Sequence, residues 1–136
     1  MQEKTLAILK PNVTRDKNVG KIIDRIEKEG FNILTLRQEQ LTKEKAERFY
    51  EIHKGKHFFD ELVQFMTSGP VVVIALEKEN GISEWRTLMG TTNPEEAAEN
   101  TLRKLYATSF TENATHGSDS PENAQKEIAF FFPELG

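Results

Sequence analysis

The chain has 136 residues, 37% hydrophobic and 29% charged, which supplies one packed domain and leaves too little length for two of ordinary size. A net charge of −4, with no long run of one sign, removes any general case for wrapping nucleic acid or lying on an anionic membrane. The absence of cysteine excludes disulfides, thiolate metal sites and thiol nucleophiles together, and suits a reducing cytoplasm.

"KTLAILK", Lys4 to Lys10, is an apolar run closed by Pro11 and reads as a buried strand. It is too short for a secretory signal, and no later segment approaches the ~20 apolar residues of a membrane span. "VGKIIDRIEKEG" places Ile22, Ile23 and Ile26 on one helical face, with Gly30 where a helix stops. "FNILTLRQ" alternates loosely and is rich in β-formers. Thr42 then caps a helix whose Ala46, Phe49, Tyr50 and His53 share one side. Gly55 interrupts it, and "FFDELVQFM" resumes with Phe59, Leu62, Val63 and Met66 inward. "GPVVVIALE" has the continuous apolar run of a strand buried on both faces. A short helix, "ISEWRTLMG", ends at Gly90, and Thr91 to Ala114 is aperiodic, a loop with one short helical turn, followed by a short strand before the last helix. Finally "SPENAQKEIAFFF" offers Ser120 as N-cap, Pro121 at the first helical position, and Ala124, Ile128 and Phe131 on one face. Strands alternating with helices imply an α/β or α+β sandwich around a small sheet.

"NATHGSDSPEN" sets His116 in a connection just ahead of that last helix. Orphan amides at a helix start favour an anion, Gly117 leaves room for close approach, and Ser118 and Ser120 add hydroxyls. An imidazole there can accept a phosphoryl group, act as a base, or be an ordinary loop histidine. Glu127 is a partner for the ring only if the connection folds back, because it stands about 10 Å along the helix axis; otherwise it is a solvated helix residue. Arg86, Thr92, Arg103, Lys104 and Asn113 bring the guanidinium, hydroxyl and amide groups that grip phosphates, although surface arginines are commonly just solvated. Lys10 ends a strand, either at a ligand-bearing edge or in water. Neither G-x-x-x-x-G-K-[ST] nor G-x-G-x-x-G occurs. "HKGKH" spaces His53 and His57 as a metal pair, but Gly55 breaks the helix and no third ligand is evident, so a structural zinc is rejected. "NAT", Asn113 to Thr115, matches a glycosylation sequon that carries no weight without an export signal.

"TLAILKPN", "FYEIHKGKHFF", "FMTSGPVVV", "LMGTTNPEEA", "TLRKLYA" and "NATHGSDS" together resemble the nucleoside diphosphate kinase family, in order from Lys4 to Phe132. The resemblance implies one domain over residues 1–136, an α+β fold with a ferredoxin-like βαββαβ antiparallel sheet and helices on one face. It implies a ping-pong exchange: a nucleoside triphosphate gives its γ-phosphoryl to histidine, which passes it to a nucleoside diphosphate. By the family pattern His116 is the nucleophile, Glu127 holds its ring, Ser118 organises the site and Tyr50 lies beside the histidine. Phe58 stacks on the base with Leu62 near it, Lys10 and Asn113 meet the sugar hydroxyl and nearby phosphate, and His53, Arg86, Thr92 and Arg103 hold phosphates. Mg2+ arrives with the nucleotide, with no residue assigned as a metal ligand. The resemblance further implies a cytoplasmic homo-oligomer, tetramer or hexamer, without a membrane or a specific nucleic acid as partner. Asn12, His57, Asn100 and Lys104 depart from the usual family residues and bear on loops and subunit contacts.

Overall fold

The two central strands form where the sequence is continuously apolar. β1 (Gln2–Leu9) and β3 (Val71–Glu79) pair antiparallel from Gln2↔Glu79 to Leu9↔Val72. β2 (Asn32–Glu39) joins the far side of β3, with a register irregularity between Ile33 and Thr35, and the short β4 (Thr115–Gly117) joins the far side of β1. The sheet order is therefore β2-β3-β1-β4, every pairing antiparallel. The structure is a computed structural model describing residues 2–135 apart from Ile52, His53, Thr92, Pro94, Ser109, Phe110, Thr111 and Asn113.

Among the described residues the helices are α1 (Pro11–Arg15), α2 (Val19–Lys28), α3 (Lys43–Phe49), α4 (Phe59–Met66), α5 (Gly81–Met89), α6 (Leu102–Tyr106) and α7 (Pro121–Phe131). Three begin on the hydroxyl caps their sequences offer: Thr42 accepts from the Lys45 amide, Thr101 from Lys104 and Ser120 from Asn123. α1 was not legible beforehand. Pro11, which ends β1, also serves as the first residue of α1, where its missing N–H is no loss.

Successive strand residues point to opposite faces, and both faces of β1 and β3 are buried. On one face, Ala7, Leu9, Val72, Ile74 and Leu76 pack against Ile22 and Ile26 of α2 and Trp85, Leu88 and Met89 of α5. On the other, Leu6, Ile8, Val71, Val73 and Ala75 meet Ala46 of α3, Phe59, Val63 and Met66 of α4, and Ile128 and Phe131 of α7. Helices on one face thus describes the two βαβ crossovers, α2 and α5, but not the whole molecule. The α3–α4 hairpin, inserted between β2 and β3, and the terminal α7 cover the second face, because odd and even positions of the central strands are equally apolar.

Candidate active site

His116 lies on β4, directly opposite Ile8 of β1, rather than at the tip of a connection. Directly opposed residues of an antiparallel pair share a face, so the imidazole projects with Ile8 toward α3 and α7. Several contacts build this short edge strand. The Lys10 amide donates to the Ala114 carbonyl at 2.8 Å, and Ala114 turns the chain with a left-handed φ of 76°, uncommon for a residue with a Cβ. Arg103 Nη2 donates to the Thr115 carbonyl at 2.9 Å, and Trp85 Nε1 to the His116 carbonyl at 3.1 Å. The room at Gly117 is taken by α5, not kept for a ligand: a Cβ there would stand 2.5 Å from Trp85 Cδ1 and 2.7 Å from Met89 Cε.

The connection does fold back over α7. His116 Nε2 lies 2.8 Å from Glu127 Oε1, and Ser118 Oγ donates to the same oxygen at 2.8 Å. Ser118 is fully buried and also accepts the Leu6 amide at 3.2 Å, so its hydroxyl is spent on the Glu127 carboxylate and not on a bound phosphate. Ser120 is likewise committed, as the α7 cap. An ionised carboxylate only accepts hydrogen bonds, so Nε2 carries the ring proton of the neutral tautomer and Nδ1 keeps its lone pair. Tyr50 is buried in the same layer, and burial, reinforced by the Glu127 charge, holds its phenol well above the usual range, hence protonated. The ring of Phe49, next in chain to Tyr50, meets the imidazole edge-on with centroids 5.3 Å apart.

Positive charge gathers around β4. Arg86 is exposed, while Arg103 and Lys10 are 9% and 6% exposed. Arg103 Nη1 donates to the Gly90 carbonyl at 3.0 Å, so its two terminal nitrogens tie the end of α5 to β4. Burial, with the neighbouring Arg86 charge, lowers the Arg103 pKa to about 10; burial, with Arg103, lowers Lys10 to about 7. Asp119 is held below the usual carboxylate range, chiefly by the hydrogen bond from Asn123, with Arg86 contributing. A cleft of about 420 Å³ opens between the end of α5 and α6, lined by Arg86, Gly90, Thr91, Thr101 and Arg103 among others. Phe58 and Leu62 stand half-buried at the start of α4, the Phe58 ring flanked by His57 and by Lys56 Nζ at 5.8 Å. The expectations for His53, Thr92 and Asn113 fall outside the described residues. Among those described, no three His, Asp or Glu side chains gather into a metal cage.

The sequence pattern of the nucleoside diphosphate kinases matches residues 3–135. The chain belongs to the nucleoside diphosphate kinase family. It is 53% identical over 133 residues to the nucleoside diphosphate kinase of Persephonella marina, covering 98% of this chain and 95% of that one. To the enzyme of Chlorobaculum parvum it is 55% identical over 130 residues, covering 96% and 93%. Among solved structures, the Aquifex aeolicus nucleoside diphosphate kinase superposes with a TM-score of 0.97 at 46% identity, covering 99% of this chain and 98% of that one. A halophilic nucleoside diphosphate kinase from Halobacterium salinarum, in complex with CDP, superposes at 0.93 with 34% identity, covering 97% and 88%. The activity is that of the family, transfer of the γ-phosphoryl of a nucleoside triphosphate to a nucleoside diphosphate through a phosphohistidine.

Against this nucleoside diphosphate kinase frame, the residues missed in the sequence are those that set the histidine's strand and ring. Trp85 was an undistinguished member of a short helix, and Phe49 an inward residue of α3. The signal for Trp85 was Gly117, whose missing Cβ marks a close approach without saying by what. Asn12, one of the departures from the family pattern, is 1% exposed and donates to the Tyr106 carbonyl at 3.1 Å, tying α1 to α6. Among the described residues no helix is long and apolar enough to cross a membrane.

Proposed function

We propose that His116 Nδ1 is the phosphoryl acceptor of this reaction. The observation that carries the proposal is the 2.8 Å contact between His116 Nε2 and Glu127, which commits one ring nitrogen and leaves the other as nucleophile. In the first half-reaction the Nδ1 lone pair attacks the γ-phosphorus, the bond from phosphorus to the β–γ bridging oxygen breaks, and a nucleoside diphosphate departs. The imidazole then carries a positive charge that the Glu127 carboxylate balances while Nε2–H stays hydrogen-bonded. In the second half-reaction a terminal oxygen of another nucleoside diphosphate takes the group and Nδ1 regains its lone pair. No proton need leave Nε2 in either direction.

Phosphoryl transfer asks mainly for positioning and charge compensation. Arg86 compensates phosphate charge directly. Arg103, with its terminal nitrogens on carbonyls, contributes field and frame, and Lys10 adds a buried cation close by. Tyr50 and Ser118 hold the carboxylate side. Phe58 and Leu62 form the platform for the base, and the family resemblance assigns phosphate and sugar roles to His53, Thr92 and Asn113. The CDP held by the Halobacterium salinarum relative supports a nucleoside diphosphate as ligand. Mg2+ enters as part of the substrate, partly neutralising its phosphates. A cleft walled by guanidinium groups suits an ion that arrives with the nucleotide.

The working unit is one domain of residues 1–136, in the cytoplasm, as a homo-oligomer. The outer edge of β2, with Leu34 and Leu36 exposed at 38% and 41%, supports self-association. Initial rates with varied donor and acceptor test the exchange: parallel reciprocal plots are expected, and intersecting plots would indicate direct transfer in a ternary complex.

A further inference from the structure

We propose that Phe49 is a positioning residue for the phosphoryl-accepting imidazole, setting the angle at which Nδ1 presents its lone pair. The proposal rests on His116 being the nucleophile. The hydrogen bond to Glu127 fixes Nε2, but it leaves the ring one freedom. Nε2 lies nearer than Nδ1 to the axis of the Cβ–Cγ bond, so a small rotation about that axis displaces Nε2 less and stretches the hydrogen bond without breaking it. It does swing Nδ1, by roughly half an ångström for a turn of about 30°. A second contact is needed to stop the swing.

Phe49 supplies it. Its ring centroid lies 5.3 Å from that of His116 with 72° between the planes, an edge-to-face contact. The Phe49 ring is itself held from several sides. Tyr50 meets it at 4.9 Å and 87°, Phe131 at 5.1 Å and Phe130 at 5.6 Å. Phe130 and Phe131 belong to α7, the helix that also carries Glu127. The ring angle and the hydrogen bond to Nε2 are therefore set from one frame, and a shift of α7 moves both together. Phe49 touches the imidazole itself, so its role is expected in the chemical step rather than in binding.

The test measures the single-turnover rate of enzyme phosphorylation from a nucleoside triphosphate, together with nucleotide affinity. Phe49→Leu is expected to slow phosphorylation about tenfold, since a near-attack geometry loses rate steeply with small displacements. Affinity should stay within about twofold, and Phe49→Tyr, which keeps the ring, should recover most of the rate. Ile26→Val, on the opposite face of the sheet, controls for lowered stability and should leave the rate unchanged. A Leu variant that phosphorylates at the wild-type rate overturns the proposal. So does one whose loss lies wholly in affinity, or one matched by Ile26→Val. Should the Leu variant not fold, Phe49→Met is read the same way. His116→Ala separates the two readings: labelling that survives it sinks the nucleophile itself, whereas a fast Phe49→Leu sinks only the positioning role.

Discussion

Gly117→Ala places one methyl group where the structure has no space. The added carbon would stand 2.5 Å from Trp85 Cδ1 and 2.7 Å from both Trp85 Nε1 and Met89 Cε. Carbon atoms pack at about 3.5–4.0 Å, so the indole, which is fully buried, must retreat by roughly 1 Å or β4 must lift away. Overpacking of this kind destabilises by about 1–3 kcal/mol, and losing the hydrogen bond from Trp85 Nε1 to the His116 carbonyl adds about 1 kcal/mol. For a domain of this length the sum corresponds to a fall in Tm on the order of 10 °C. Trp85 is the only tryptophan in the chain, so its fluorescence reports on this contact alone. Thermal unfolding followed at that fluorophore should show the lower midpoint and an altered native emission, and phosphorylation should slow because the strand carrying His116 has moved. A Gly117→Ala protein with wild-type midpoint and emission would refute the close-packing explanation of this glycine.

Glu127→Gln keeps an acceptor for His116 but removes its charge, a difference of about 1–2 kcal/mol between charged and neutral hydrogen bonds. Rapid-quench measurement should show phosphohistidine formation slowed roughly 5–30-fold with nucleotide affinity kept, and an unchanged rate would deny the carboxylate its role. Arg103→Lys cannot bridge the Gly90 and Thr115 carbonyls together, so chemical denaturation should show a loss of about 1–3 kcal/mol, while equal stability would mean the bridge is idle. Lys10 links stability to pH. Unfolded, its amine keeps a proton up to about 10.5; folded, it releases it near 7 because it is buried, with Arg103 adding. The folded chain binds fewer protons between those values, so this residue's destabilising effect is full below about 7 and relieved as pH rises toward 10.5. Lys10→Met should therefore raise Tm most at pH 6 and progressively less toward pH 10, and a gain independent of pH would contradict the buried charge.

The elements legible in the sequence are those whose cause is local. β1 and β3 announce themselves by contiguous apolar residues, and α3 and α7 by Thr42 and by Ser120 with Pro121, each of which does cap its helix. A short strand before the last helix was expected too, but its pairing, and the placing of His116 on it, were set by distant contacts. β4 is short and exists because Ile8 pairs with His116 and because Lys10, Arg103 and Trp85 bind its backbone or that of Ala114, none of them neighbours in sequence. The same register decides that His116 faces α7, which brings Glu127 within reach despite the spacing along its helix. The serines beside His116 looked like anion donors because their chemistry allows it; the fold assigns them to Glu127 and to a helix cap. Lys10 stood out locally only as the end of a strand, whereas the roles proposed for Tyr50, Phe58 and Leu62 came from the family resemblance, since nothing in their local sequence sets them apart from core or surface residues.

The most direct test is to find which atom carries the phosphate. The protein incubated with nucleoside triphosphate and Mg2+, then analysed under alkaline conditions by phosphorus and nitrogen NMR, should show one acid-labile phosphoramidate, on Nδ1 of His116, and none in His116→Ala. Phosphate on Nε2, or undiminished labelling of the alanine variant, would contradict the account at its centre.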